Sequence, residues 1–152
     1  MENSVAVDSR AEALLKLGAT YQGIARAQRR LRGRDAMQPG RLTAPQVNLL
    51  GALAEGQALS SGQIAEAAGL TPATTTHMLD QLAVAGVVER ERQTDDRRVV
   101  VTRLTDQGAA MLQARIQEMK ESWDEALSSF DEAQLEAANV VLEAICGFVD
   151  DL

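Results

Sequence analysis

The chain is poor in the side chains from which metal sites and many catalytic centres are built. Its 152 residues include one histidine, His77, and one cysteine, Cys146. That is too few for a soft-ligand metal site. A lone cysteine forms no internal disulfide, which fits a reducing compartment. Cys146 lies beside Ile145 on an apolar helical stripe, so a buried, inert thiol is expected there. Aromatic residues amount to two Phe, one Trp and one Tyr, which leaves the core to Leu, Val, Ile, Ala and Met. No apolar run approaches the roughly 20 residues of a membrane span. The opening "MENSVAVDSRAEALL" has no basic segment followed by an apolar one, so no secretory signal is read and a cytoplasmic location is expected, without a membrane partner. No nucleophile–base motif, Gly-rich phosphate loop or ligand cluster is present, and Asp95 and Asp96 read as turn residues. The expectation is a protein that is not an enzyme and carries no cofactor and no metal.

The charge is present but unevenly placed. The formal net charge is −7. Residues 10–41 hold eight basic residues against Glu12 and Asp35, an excess of six positive charges. Residues 105–152 hold eleven acids against Arg115 and Lys120, an excess of nine negative charges. Residues 60–104, with five arginines and six acids, are near neutral, so the total does not exclude a nucleic-acid partner for the middle of the chain. Arg26, Arg29, Arg30, Arg32 and Arg34 are open to three readings: an extended nucleic-acid footprint, a solvated face, or a partner for the acidic C-terminal helices. The last two are favoured.

Hydrophobic spacing gives the elements. Leu14, Leu17, Tyr21, Ile24, Gln28 and Leu31 recur at three and four, which predicts one helix over 8–32. Gly33, Pro39 and Gly40 then interrupt the pattern. "TAPQ" at 43–46 and "SSGQ" at 60–63 have the form of capping boxes, each opening a helix. The first of these runs to about Gly56, and the second ends at Gly69. Thr71 and Pro72 start another within two residues, the spacing of a helix-turn-helix. After Gly86 the period becomes two. "VVERER" and "VVVTRL" read as strands joined by "QTDDRR", a β-hairpin wing. Two long helices follow. Leu112, Ile116, Met119, Trp123, Leu127 and Phe130 form one stripe, and Ala138, Leu142, Ile145, Val149 and Leu152 form another. No internal repeat or low-complexity segment occurs. The chain is thus read as one domain, mainly α with a small two-stranded β-wing.

The stretch "LTPATTTHMLDQLAVAG", 70–86, holds the chemistry. On a helical wheel Thr75, Met78, Leu79 and Leu82 share the inner face. Ala73, Thr76, His77 and Asp80 lie opposite, with Thr74 and Gln81 on the flanks. A small, polar, nearly uncharged face can approach another surface closely, and hydroxyls serve both phosphate oxygens and base edges. A helix N-terminus adds free N–H groups and a positive dipole end. Alone, the cluster reads equally well as one cap, Thr71, with surface filler behind it.

From "SSGQIAEAAGL" through "TPATTTHMLDQLAVAGVVER" to "DDRRVVVTRLTDQG" the sequence resembles the MarR family of winged-helix transcription regulators. The resemblance covers the central half; the flanking helices match in length and amphipathic pattern only. It implies a winged helix-turn-helix lobe over 43–104, flanked by dimerisation helices over 8–32 and 105–152. It further implies a homodimer on a pseudo-palindromic operator in double-stranded DNA, with release by a small aromatic or anionic effector. By position, Ala73, Thr74, Thr76 and His77 would face the major groove. Arg97 and Arg98 fall in the wing's Asp-Arg-Arg motif and would enter the minor groove, where narrow A·T-rich segments attract arginine. Asp96 would orient that arginine or brace the wing. Two departures stand out. Similar proteins often carry arginine where His77 stands, and Asp-x-Arg where this chain has Gln93-Thr94-Asp95. Tyr21 and Trp123 are candidates for lining an effector pocket and also sit on core stripes, so no effector residue is assigned. The alternative readings are a winged-helix protein–protein adaptor, suggested by the near-neutral middle segment, and an oxidation sensor using Cys146. Sensors of this type usually carry their cysteine in the first helix, which has none here.

Overall fold

The computed structural model describes residues 2–35, 40–92 and 99–151. It is mainly helical with a small antiparallel sheet. Two compact units divide it, Met1–Leu112 and Gln113–Leu152.

In the first unit, α1 (Glu2–Asp35) runs longer than the 8–32 stripe suggested and continues through Gly33. Its apolar row stays open to solvent in the single chain: Leu14, Leu17, Tyr21 and Ile24 are all exposed. α2 (Ala44–Gly51) starts at the expected box. The Gln46 backbone N–H donates to Thr43 Oγ1 at 3.3 Å, and the Thr43 N–H donates to Gln46 Oε1 at 2.8 Å. The helix ends five residues before Gly56, and turns carry the chain from there. α3 (Ser61–Ala68) opens on the same reciprocal pair, Ser60 with Gln63. Gly69 closes it in the left-handed region at φ 62°, where a side chain would be strained. Asn48 Nδ2 on α2 donates to the Ala68 carbonyl at 3.1 Å, so α2 satisfies an end carbonyl of α3. α4 (Pro72–Val84) follows after the tight turn.

The expected two-stranded wing is present, and the sheet extends beyond it. β2 (Val88–Arg92) and β3 (Val100–Leu104) form the hairpin, and a third strand, β1 (Leu59–Ser60), adds to the other edge of β3 in the order β1-β3-β2. Leu59 pairs with Thr102 and Ser60 with Val101. Two residues are too few for a period-two signal, so β1 leaves no trace in the sequence pattern.

The core of this unit joins Leu49, Leu50 and Leu53 to Ile64, Leu79, Leu82, Val87, Val88 and Leu112, all almost completely buried. α5 (Asp106–Ala126) begins here and is tied to the wing base. Thr105 Oγ1 donates to the carbonyls of Gly86 (2.7 Å) and Val87 (3.2 Å) and accepts from the Gly108 N–H at 3.0 Å. The Thr105 N–H donates to the Val87 carbonyl as well, at 3.1 Å.

In the second unit α5 continues to a turn, and α6 (Glu132–Asp150) starts at Asp131, whose carboxylate accepts from the Gln134 N–H at 2.9 Å. Leu135, Leu142 and Val149 of α6 are exposed. Cys146, expected to be buried, is exposed: the helical stripe identifies an apolar face, and nothing among the described residues of this unit covers it. Leu152, the last member of that stripe, lies outside the described residues.

Candidate nucleic-acid interface

The threonine cluster of α4 divides by task. Thr71 is the N-cap, with its Oγ1 accepting from the Thr74 N–H at 3.2 Å. Its hydroxyl also shares a 2.9 Å hydrogen bond with Thr74 Oγ1, so the Thr74 hydroxyl is engaged at the cap. Thr75 turns inward and is fully buried beside Leu79 and Leu82. Its Oγ1 has no hydrogen-bond partner among the described residues. Ala73, Thr74, Thr76, His77 and Asp80 are exposed, as the wheel predicts. Ala73, Thr76 and His77 therefore form a short, low-relief face at the start of the helix, with Thr74 at its edge. Four of the candidate site residues are brought together in this way.

The remaining candidates, Asp96, Arg97 and Arg98, lie outside the described residues, as do Gln93, Thr94 and Asp95. The hairpin below them is well defined. Arg92 faces Val100 as the last pair before the tip, and Arg90 faces Thr102. Alternate residues separate the two faces of the sheet. Val88, Arg90 and Arg92 lie on the face that packs inward at its base, where Val88 is 3% exposed. Glu89 and Glu91 lie on the other face, where Arg103 pairs with both, with Nε to Glu89 Oε1 at 2.8 Å and Nη2 to Glu91.

Beyond the shared core, an ion pair joins helix to wing. Arg90 Nη1 stands 2.8 Å from Asp80 Oδ1. The sequence pattern placed Asp80 on the exposed side of α4 without a partner. The one sequence feature that could have pointed to a partner is the single acid on an otherwise uncharged face. Among the described residues no three of His, Cys, Asp and Glu come together as metal ligands, and no helix is long and apolar enough to cross a membrane.

Helix, tight turn, exposed second helix and antiparallel wing make a winged helix-turn-helix, and residues 42–100 match the model of the MarR family. The match spans 59 of the 152 residues, so it is a likeness of this lobe to the MarR family. Members of that family are transcription regulators rather than enzymes. Solved structures share the fold over most of the chain. FabT of Streptococcus pneumoniae in complex with DNA is 18% identical, with a TM-score of 0.72, covering 90% of this chain and 96% of its own. A mutant of MarR from E. coli complexed with operator DNA is 22% identical, with a TM-score of 0.68, covering 87% and 94%. BpsR of Bordetella bronchiseptica, whose DNA binding is regulated by 6-hydroxynicotinic acid, is 19% identical, with a TM-score of 0.67, covering 86% and 98%. No curated protein matches the chain in sequence.

Proposed function

We propose that this chain is a MarR-family transcription regulator that acts as a cytoplasmic homodimer. It represses from a pseudo-palindromic operator and leaves the DNA when a small aromatic or anionic effector binds. Residues 43–104 are the DNA-binding lobe, and 8–32 and 105–152 supply the dimerisation helices. The observation that carries this reading is the exposed face of Ala73, Thr74, Thr76 and His77 at the N-terminus of α4, in the second-helix position of the lobe. In a helix-turn-helix the N-terminal residues of that helix meet the base edges. Alanine and threonine methyls pack on the thymine methyl, and hydroxyl and imidazole groups reach base edges or phosphates. The wing arginines Arg97 and Arg98 are assigned to the minor groove, with Asp96 orienting them.

Two features support the dimer. α1 and α6 each present an apolar row to solvent in the single chain, and patches of this kind mark association surfaces. Effector control is inferred from the family and from BpsR, whose regulator is an aromatic carboxylic acid.

The test is selection of duplexes from a random pool, followed by binding at several salt concentrations. The expected result is an enriched inverted repeat with half-sites about one helical turn apart and affinity that falls with salt. Arg97→Ala is expected to weaken operator binding about 10- to 100-fold, the scale of one lost groove contact. Recovery of no enriched sequence overturns the reading, and wild-type affinity in Arg97→Ala overturns the wing assignment.

A further inference from the structure

Asp80 stands in an unfavourable place for a carboxylate. It lies one helical turn beyond His77 on the exposed face that begins with Ala73 and Thr76. If that face meets DNA, an acid there is repelled by phosphate and discourages binding. The structure supplies a counter-charge, and supplies it from the wing. Arg90 reaches from β2 to Asp80 at 2.8 Å, with its side chain 33% exposed and that of Asp80 56% exposed. The origin of Arg90 is fixed on both sides. Its strand neighbour Val88 is buried, and its cross-strand partner Thr102 is 1% exposed. Glu89 and Glu91 point to the opposite face and are held by Arg103. The Asp80–Arg90 pair therefore spans the notch between α4 and the wing, at the edge of the candidate DNA surface.

We propose that Asp80 and Arg90 are a positioning pair: they fix the wing strand against the recognition helix, so that Ala73, Thr76 and His77 engage one site together with the wing arginines. The pair contributes discrimination between operator and other DNA rather than affinity for DNA in general. This inference rests on the DNA-reading role of the lobe proposed above. Its sign separates it from plain electrostatics. Removing an acid from a DNA-facing surface tightens binding to every duplex, whereas loosening a positioning pair weakens binding only where helix and wing must dock in register.

The experiment compares wild type, Asp80→Asn, Arg90→Gln and the charge-swapped double variant Asp80→Arg/Arg90→Asp. Each is measured on the selected operator and on a scrambled duplex across a salt series, after circular dichroism shows native helix content. In Asp80→Asn, scrambled DNA is expected to bind as well as or better than to wild type while the operator binds less well. The operator-to-scrambled ratio falls about three- to fivefold, the upper range for a partly exposed pair. Arg90→Gln lowers the ratio similarly and leaves the salt slope unchanged, and the double variant restores the ratio to within about twofold. Tighter binding of Asp80→Asn to both duplexes overturns the proposal, because the carboxylate is then only an unfavourable charge. A salt slope reduced by about one unit in Arg90→Gln also overturns it, because Arg90 is then a phosphate ligand. A measurement without DNA separates this inference from the regulator reading. Spin labels at the exposed positions Val84 on α4 and Val100 on β3, in a Cys146→Ser background, are expected to give a narrow distance distribution that broadens in Asp80→Asn. An unchanged distribution overturns the positioning role even if the protein selects an operator. Failure of the wild type to select any duplex overturns the regulator reading while the label distances still judge the pair.

Discussion

Gly108→Ala is expected to destabilise the protein, against the ordinary effect of that change in a helix. Gly108 lies in the first turn of α5. In an unconstrained helix, glycine to alanine is worth about 1 kcal/mol of stability. Here a Cβ would lie 1.9 Å from the Val87 carbonyl oxygen, 2.8 Å from its carbonyl carbon and 3.2 Å from its Cα. All three are backbone atoms, so no side-chain rotation relieves the clash. The Val87 carbonyl also accepts from the Thr105 N–H and Oγ1. Moving it the ångström or more that a methyl requires lengthens both bonds. Overpacking of this kind costs about 1–3 kcal/mol, and the weakened hydrogen bonds add about 1 kcal/mol. After the helix gain is subtracted, the net loss is about 1–3 kcal/mol, a large share of the 5–15 kcal/mol typical of a domain. The assay is urea unfolding at one protein concentration, since association shifts apparent stability. With a slope near 2 kcal/mol/M, the midpoint falls by about 0.5–1.5 M. Gly62→Ala in α3 is the control: its Cβ would meet nothing nearer than Ser60 Oγ at 4.0 Å, and no loss is expected. A Gly108→Ala protein as stable as wild type would refute the argument that α5 and Val87 are in backbone contact.

Two further outcomes follow from hydroxyl groups. Thr75→Val is expected to stabilise by about 1 kcal/mol, because it replaces a fully buried hydroxyl with no partner among the described residues by a methyl of similar shape; thermal unfolding reads this as a raised midpoint, and a lowered midpoint would mean that the hydroxyl is satisfied. Ser60→Ala removes the oxygen that accepts the Gln63 N–H at 3.3 Å and is expected to cost about 1 kcal/mol, with Ser60→Thr retaining most of the stability in the same urea assay.

What the sequence makes legible is local. The capping boxes at Thr43–Gln46 and Ser60–Gln63 operate within four residues, and the structure reproduces both reciprocal pairs. The sidedness of α4 is likewise a property of one helix, and Thr75, Leu79 and Leu82 are buried while Ala73, Thr76 and His77 are exposed. Features that depend on distant parts of the chain were less visible. β1 exists because Leu59 reaches Thr102, a pairing that two residues cannot announce. The α1 and α6 stripes mark apolar faces, but periodicity does not say what covers them. Cys146 was misplaced for that reason. The Asp80–Arg90 pair joins a helix to a strand, and helical or strand spacing carries no term for that contact.

The tie at the wing base has a mechanical consequence. Gly86 ends α4 at φ 72°, Val87 follows, and Val88 already lies in β2. The carbonyls of Gly86 and Val87 are both held by Thr105, whose Oγ1 also caps α5 through Gly108. The end of α4, the root of the hairpin and the start of α5 are therefore joined through Gly86, Val87 and Thr105. Close-packed interiors deform by discrete shifts rather than smoothly. A displacement of the first turn of α5 must then carry Val87 with it, and Val87 carries both α4 and β2. The Asp80–Arg90 pair closes the same triangle on its open side. α4, β2 and the first turn of α5 are thus tied at one root by the hydrogen bonds of Thr105 and on the far side by the Asp80–Arg90 pair.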